Sequence, residues 1–402
     1  MQRSLGRWQR WRWLVLGGAL AALSVLLWRY AGRLYPSLCG DFLQFWAAAR
    51  LNLAGENPFV RERVYALWQA AGWTRTWALV MYNPPWTLTL VLPWALLDAR
   101  SACILWRLSL LVCVFVSVDY LWRAYGGPVK RRWLAWVVGI PFMPTVIAIH
   151  SGQLGLVVLA GAVLFLWGLR PTMDAARREW AAAAALLLIS SKPHVLYLFW
   201  IALAVWLFTF RRGAFLGKAL AVTAAALLIP MLTNPAVLVQ YLAAVGQRPP
   251  DLWIASAWGS FLRLAFGPEK FWLQFLPSLL AGGIYAVYVW RKRLGWDWMV
   301  DLPMLVLWSQ ITRPYGWTHD LVVTLLPLIA VTAQAAQRGP RALRLALGVY
   351  ALLQVVMVLA HRFTPSGDHH LVWLPLAIFG VYVLVKKTLA RQDLSREGGH
   401  HA

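Results

Sequence analysis

The sequence predicts an all-α polytopic membrane protein. Hydrophobic residues make up 60% of the 402 positions against 13% charged. Mean hydropathy is +0.59. The apolar residues fall in repeated runs separated by short basic stretches. Backbone groups in hydrocarbon must be satisfied within their own segment, so such runs read as helices.

The first run, 14–28, follows Arg3, Arg7, Arg10 and Arg12 and mimics a secretory signal. No small-x-small cleavage site follows it, so it reads as an uncleaved first span with a cytoplasmic amino terminus. Further runs at 102–120, 133–149, 154–169, 180–190, 195–210, 219–232, 273–290, 299–311, 321–335, 343–360 and 371–386 bring the expectation to about twelve crossings. Residues 84–97 are apolar enough to cross, yet counting them would place Lys130, Arg131 and Arg132 outside. Fourteen residues reach only about 21 Å, so this stretch reads as a re-entrant or interfacial helix. The whole chain, 1–402, forms a single membrane domain. It has a first external loop at 29–83, a second at 233–272 and a cytoplasmic tail at 387–402.

A net charge of +23 needs no nucleic acid to explain it. Most of the 38 Lys and Arg lie in seven clusters beside the apolar runs, the pattern of cytoplasmic loops, which places both termini in the cytoplasm. The 27 Trp suit interfacial belts. Cys39, Cys103 and Cys113 are odd in number and lack metal-ligand spacing, so packing roles are expected and neither a disulfide nor a zinc site.

The same sorting sends the unusual polar residues to the other face: Asp41, Tyr82-Asn83-Pro84-Pro85, His150 to Gln153, Ser190 to His194, the 233–270 loop, Arg313 to Asp320, and His361 to His370. Asp41 follows the first span and precedes the segment Phe42-Leu43-Gln44-Phe45-Trp46, read as amphipathic. As an N-cap it would start the helix 42–53; as a functional carboxylate it would deprotonate a hydroxyl or bind a metal that does. Lys192, before Pro193, either snorkels or meets a lipid phosphate as a compact cation. Arg313 and His319 either belong to a wet loop with a self-satisfying His319-Asp320 contact or hold a phosphate, with Tyr315 and Trp317 stacking on a sugar. Gln153, His150 and His194 would add neutral donors. His361, Asp368, His369 and His370 lack helical i, i+4 ligand spacing, so a metal site there is not expected. Because the chain has no Walker loop, dinucleotide fingerprint or Ser-centred elbow, the energy for any reaction must come from an activated substrate.

Asp41 to Arg50, Gly55-Glu56-Asn57-Pro58-Phe59, Tyr82-Asn83-Pro84-Pro85, Gly152-Gln153, Lys192-Pro193, and Arg313-Pro314 through Trp317-Thr318-His319 resemble, in order and spacing, glycosyltransferase family 87. The resemblance covers 41 to about 327. It implies a GT-C fold and a multi-pass enzyme of the cytoplasmic (inner) membrane with its site on the periplasmic face. It also implies an inverting reaction that moves mannose or another hexose or pentose from a polyprenyl-phosphate donor to an envelope lipid or glycan acceptor. Asp41 would then be the base and His319 the donor-phosphate contact. Lys192, Arg313, Gln153, His194 and Tyr82 would line the donor site, and Trp317, Tyr315 and Trp46 would stack on sugar or acceptor. No cofactor and no metal are expected, membrane lipids are the surroundings, and the chain is read as a monomer. Three positions depart from the family pattern: Arg313 where Ser is frequent, Asp320 where a second His is frequent, and Trp258-Gly259-Ser260 where Asn-Gln-Ser is expected. These are places where donor or acceptor selectivity could be set. Competing readings are a lipid-linked-sugar flippase or other transporter, which would spread charges along a mid-membrane path, and a catalytically inactive relative. No internal repeat supports a transporter built on inverted halves.

Overall fold

A computed structural model describes residues 39–170, 175–247, 253–363 and 368–398. The expected first span and the amino terminus lie outside the described residues, as do 399–402 of the tail. Every regular element described is helical, so the protein is an α-helical membrane-embedded chain. In chain order the α-helices are α1 (Gly40–Leu53), α2 (Arg61–Ala70), α3 (Leu88–Ala95), α4 (Ala99–Ala124), α5 (Trp133–Gly139), α6 (Met143–Ser151), α7 (Gly155–Gly168), α8 (Ala175–Ser190), α9 (Tyr197–Thr209), α10 (Gly213–Met231), α11 (Val237–Gln247), α12 (Trp258–Phe266), α13 (Leu276–Lys292), α14 (Trp298–Thr312), α15 (Leu325–Arg338), α16 (Pro340–Phe363) and α17 (Leu374–Gly398).

Five described helices are long and apolar enough to cross a bilayer: Ala99–Ala124, Gly213–Met231, Thr318–Arg338, Pro340–Phe363 and Asp368–Gln392. The expected span at 133–149 is instead two pieces bent by 60°. The runs near 154–169, 195–210 and 299–311 form helices of 14, 13 and 15 residues. At 1.5 Å per residue these reach about 20 Å, short of a hydrocarbon core of about 30 Å. Hydropathy counts apolar residues and is blind to such breaks, which is why twelve runs do not become twelve full-length helices. The stretch 84–97 contributes α3, eight residues or about 12 Å long. The loops expected to be external are not irregular, since 29–83 contains α1 and α2 and 233–272 contains α11 and α12. Residues 387–398 continue α17.

Segment Thr318–Arg338, a 3-10 turn running into α15, is the hub of the bundle and is almost wholly buried. Against it pack α4, α7, α14 and α17. Among the described residues the most extensive helix pairing is α7 with α8, and small residues allow it. A Cβ on Gly161 would meet the Ala185 carbonyl at 3.0 Å, and one on Gly168 would meet the Ala182 Cβ at 2.7 Å. This hairpin brings the residues before α7 and after α8, Gln153 and Lys192, back to the same end.

Long polar side chains sort to the two ends of the same helices. Gln153 precedes α7 and Arg170 follows it; Asp297 precedes α14 and Arg313 follows it; His319 and Asp320 open the hub segment and Arg338 closes it. At the basic end the loops bind each other, with the Tyr125 hydroxyl donating to the Met299 carbonyl (2.9 Å), Arg131 to the Ala336 carbonyl (3.1 Å), and Gln337 to the Gly126 carbonyl. Asp119 holds Arg132, Asp301 holds Lys292, and Glu179 is shared by Arg212 and Lys218.

The cysteine expectation is overturned. Cys39 and Cys103 form a disulfide across 64 residues of chain, with Cα atoms 6.2 Å apart, tying the start of α1 to the first turns of α4; only Cys113 is free. Cysteine parity could not reveal this, because an odd count hides one pair beside one packed thiol.

Candidate active site

Asp41 sits in the first turn of α1, where the helix dipole favours a carboxylate. It is not the N-cap. The helix begins one residue earlier at Gly40, and its N-cap position, Cys39, makes no side-chain cap bond. Nor is α1 amphipathic: Phe42 through Ala49 are all buried, as befits a helix enclosed on every side. The Asp41 side chain, half-buried, instead turns to Gln153, whose Nε2 donates to Oδ2 at 2.9 Å.

Two glycines make this meeting possible. Gly152 ends α6 with φ +79°, and the Gly152 and Gln153 amides both close on the Ala148 carbonyl. A Cβ at 152 would meet the Cβ of Phe42 at 2.7 Å, so its absence lets α1 settle against the turn. The Trp106 indole pins the same turn by donating to the Gly152 carbonyl at 2.8 Å, and Phe42 stacks on Trp106. On the other side, a Cβ at Gly155 would meet Val322 at 3.0 Å and the His319 carbonyl at 3.3 Å. Gln153 is therefore held between α1 and the hub segment. Gly152→Ala should lose about 1–3 kcal/mol, the scale of a non-glycine residue forced into a left-handed turn, read as a lowered unfolding midpoint in detergent. A Gly155→Ala control should cost less, because its backbone is not left-handed.

From Gln153 the polar chain continues inward. Gln153 Oε1 accepts from Lys192 Nζ at 3.1 Å, and Lys192 donates to Asp320 Oδ1 at 2.7 Å and faces His319 Nε2 at 3.3 Å. A lysine ammonium has three protons and no acceptor, so all three are used. This fixes the other groups: Gln153 must point its amide nitrogen at Asp41, and His319 must accept at Nε2 and carry its proton on Nδ1. Asp320 Oδ2 accepts the Trp317 amide at 3.1 Å. Lys192 and Asp320 are both buried, with side-chain exposures of 8% and 0%. The expected His319-Asp320 contact is present, with Nε2 3.5 Å from Oδ1; the place of Asp320 as the counter-ion of Lys192 depends on a partner 128 residues away.

Lys192 is positioned by the Tyr82-Asn83-Pro84-Pro85 block. Asn83 Nδ2 donates to the Ser191 carbonyl at 2.7 Å and the Trp86 indole to the Ser190 hydroxyl at 3.0 Å. Tyr82 meets Trp253 edge-on at 5.3 Å. Trp253 also meets Tyr315 at 6.1 Å and Trp317 at 5.4 Å, while Trp317 lies parallel to the His319 ring at 6.1 Å. Lys192 Nζ stands 5.8 Å from the Trp317 ring centre. The result is an aromatic wall beside the charged chain. Trp253, its middle member, carries no motif signal in the sequence.

Several expected site residues take other roles. Arg313 is 1% exposed; its guanidinium donates to Gln310 Oε1 and, at 3.1 Å, to the Trp317 carbonyl. Gly316 leaves it room, since a Cβ there would fall 1.8 Å from Nε. Burial lowers its pKa to about 10, which leaves it charged and shaping the 313–317 loop from within. Tyr315, also buried, is wedged between Trp253 and Phe275. Trp46 is not at the site: it is 5% exposed and its indole donates to the Leu97 carbonyl at 3.1 Å. His194 is only partly buried, but its Nε2 is enclosed without a partner, and desolvation pushes its pKa down to about 4, so the ring is neutral at pH 7. His150 is exposed. Trp258-Gly259-Ser260 works indirectly. Ser260 and Arg263 hold Gln274, which donates to the Pro314 carbonyl, and Gly259 permits close contact with the Gln274 backbone. Asp368 caps the hub segment by accepting the Thr318 amide at 2.8 Å. No group of three or more His, Cys, Asp or Glu positioned to hold a metal ion occurs among the described residues.

No family model, curated protein or solved structure matches the chain.

Proposed function

We propose that this chain is an inverting membrane glycosyltransferase. It takes a sugar from a polyprenyl-phosphate donor and transfers it to a hydroxyl of an envelope lipid or glycan acceptor. The observation that carries the reading is the hydrogen-bonded chain Asp41–Gln153–Lys192–Asp320, which aims one half-buried carboxylate from a buried, fully partnered cation. In the proposed reaction Asp41 accepts the proton of the acceptor hydroxyl. The resulting oxygen bonds to the anomeric carbon, and the carbon–oxygen bond to phosphate breaks with its electron pair left on the phosphate.

Lys192 has its three protons engaged, so its part is to orient Gln153, and through it Asp41, while supplying positive potential near the departing phosphate. His319, with its proton on Nδ1, is the nearer candidate for a direct donor to phosphate. Trp317 and Trp253 offer faces for a sugar ring. The periplasmic placement of this end has two supports. The opposite ends of the same helices bear the basic clusters, as cytoplasmic ends do. The Cys39–Cys103 disulfide lies two residues from Asp41 and belongs to an oxidising compartment.

The test is transfer by the purified protein from a panel of polyprenyl-phosphate sugars to envelope lipid extracts. Wild type should transfer one of them, and Asp41→Asn should lose about 10²–10⁴-fold in rate, the usual worth of a general base. Full activity in Asp41→Asn would sink the assignment of the base. Movement of the lipid-linked sugar across vesicles without transfer would instead favour a flippase.

A further inference from the structure

A groove of about 990 Å³ opens at the basic end, where the carboxyl end of α9 meets the start of α10 and the turn after α13. Leu207, Phe208, Leu216 and Leu294 give it an apolar lining, and Arg211, Arg212 and Arg293 a cationic one; no acidic residue lines it. Phe208 and Leu294 are 71% and 78% exposed, a large apolar area beside three guanidinium groups.

The protein neutralises only part of this positive charge. Glu179, outside the groove, shares one negative charge between Arg212 at 3.4 Å and Lys218. Arg293 donates to the Trp290 carbonyl of its own turn and lies over the Trp290 ring. Arg211 has φ +50°, the only positive φ of a non-glycine residue among those described. It occupies the left-handed position that ends α9, where the Arg212 amide closes on the Leu207 carbonyl and where glycine is the favoured residue. A side chain kept there against backbone preference suggests that its charge is used.

We propose that this groove binds one anionic phospholipid. Its phosphate meets Arg211, Arg212 and Arg293, and its chains lie on Phe208, Leu216 and Leu294. Basic pockets between membrane helices on the positively charged side suit such head groups, and guanidinium forks match phosphate oxygens. The proposal does not rest on the glycosyltransferase reading, since the groove lies at the other end of the bundle from Asp41.

The test uses the full chain in neutral detergent, with phosphatidylglycerol, phosphatidylcholine or inorganic phosphate followed by native mass spectrometry. One phosphatidylglycerol should be retained where phosphatidylcholine is not, and Arg211→Gln/Arg293→Gln should weaken it at least tenfold. Arg341→Gln/Arg344→Gln, changing exposed cations of the same end, should leave it unchanged. Equal loss in both variants would mean diffuse attraction and overturn the site. Equal competition by inorganic phosphate would mean an anion site without lipid and overturn it as well. Should the first variant fail to fold, a phosphatidylglycerol with photoreactive chains decides on wild type: labelling at 204–216 and 293–294 supports the groove, and labelling only elsewhere refutes it.

Discussion

Asp320→Ala is expected to cost about 3–5 kcal/mol of stability, because it leaves the buried Lys192 ammonium without its counter-ion. Gln153 and His319 remain, but both are neutral and neither replaces a carboxylate at 2.7 Å. The loss would be read as a fall in unfolding midpoint in detergent. Lys192→Met/Asp320→Leu should recover much of it, since replacing both members of a buried pair by apolar groups is often neutral or better. On the proposed function the same double variant should transfer no sugar, for Gln153 would lose the donor that turns its amide towards Asp41. The two outcomes separate folding from activity. An Asp320→Ala protein as stable as wild type would contradict the geometry of the pair.

The second large effect concerns the disulfide. Opening a cross-link that closes 64 residues should cost about 4 kcal/mol in the chain-entropy account. Reductant, or Cys39→Ser/Cys103→Ser, should lower the midpoint accordingly, while Cys113→Ser should not. Unfolded without reductant, the protein should expose one reactive thiol; after reduction it should expose three. Three thiols without reductant would refute the bridge. Its removal should also slow transfer, because it anchors the start of α1 just before the carboxylate that Gln153 must reach.

The membrane character, the helical class and the placing of basic residues at one set of helix ends follow from composition and local pattern, because hydrophobicity and charge position are additive, residue-by-residue properties. Asp41, Gln153, Lys192 and His319 could be singled out for a similar reason: polar groups are conspicuous in a chain that is 60% hydrophobic. Tertiary structure alone decided which of them meet. Gln153 reaches Lys192 because Gly161 and Gly168 close the α7–α8 hairpin, and Asp41 reaches Gln153 because Gly152 leaves space for Phe42. Those are contacts between surfaces far apart in the chain, and nothing local encodes them. Asp320 became the partner of Lys192, Arg313 and Trp46 withdrew into the packing, and Cys39 found Cys103 on the same grounds. Helix length was undecided for a related reason: where an apolar run is broken depends on what packs against it, whereas its hydropathy does not.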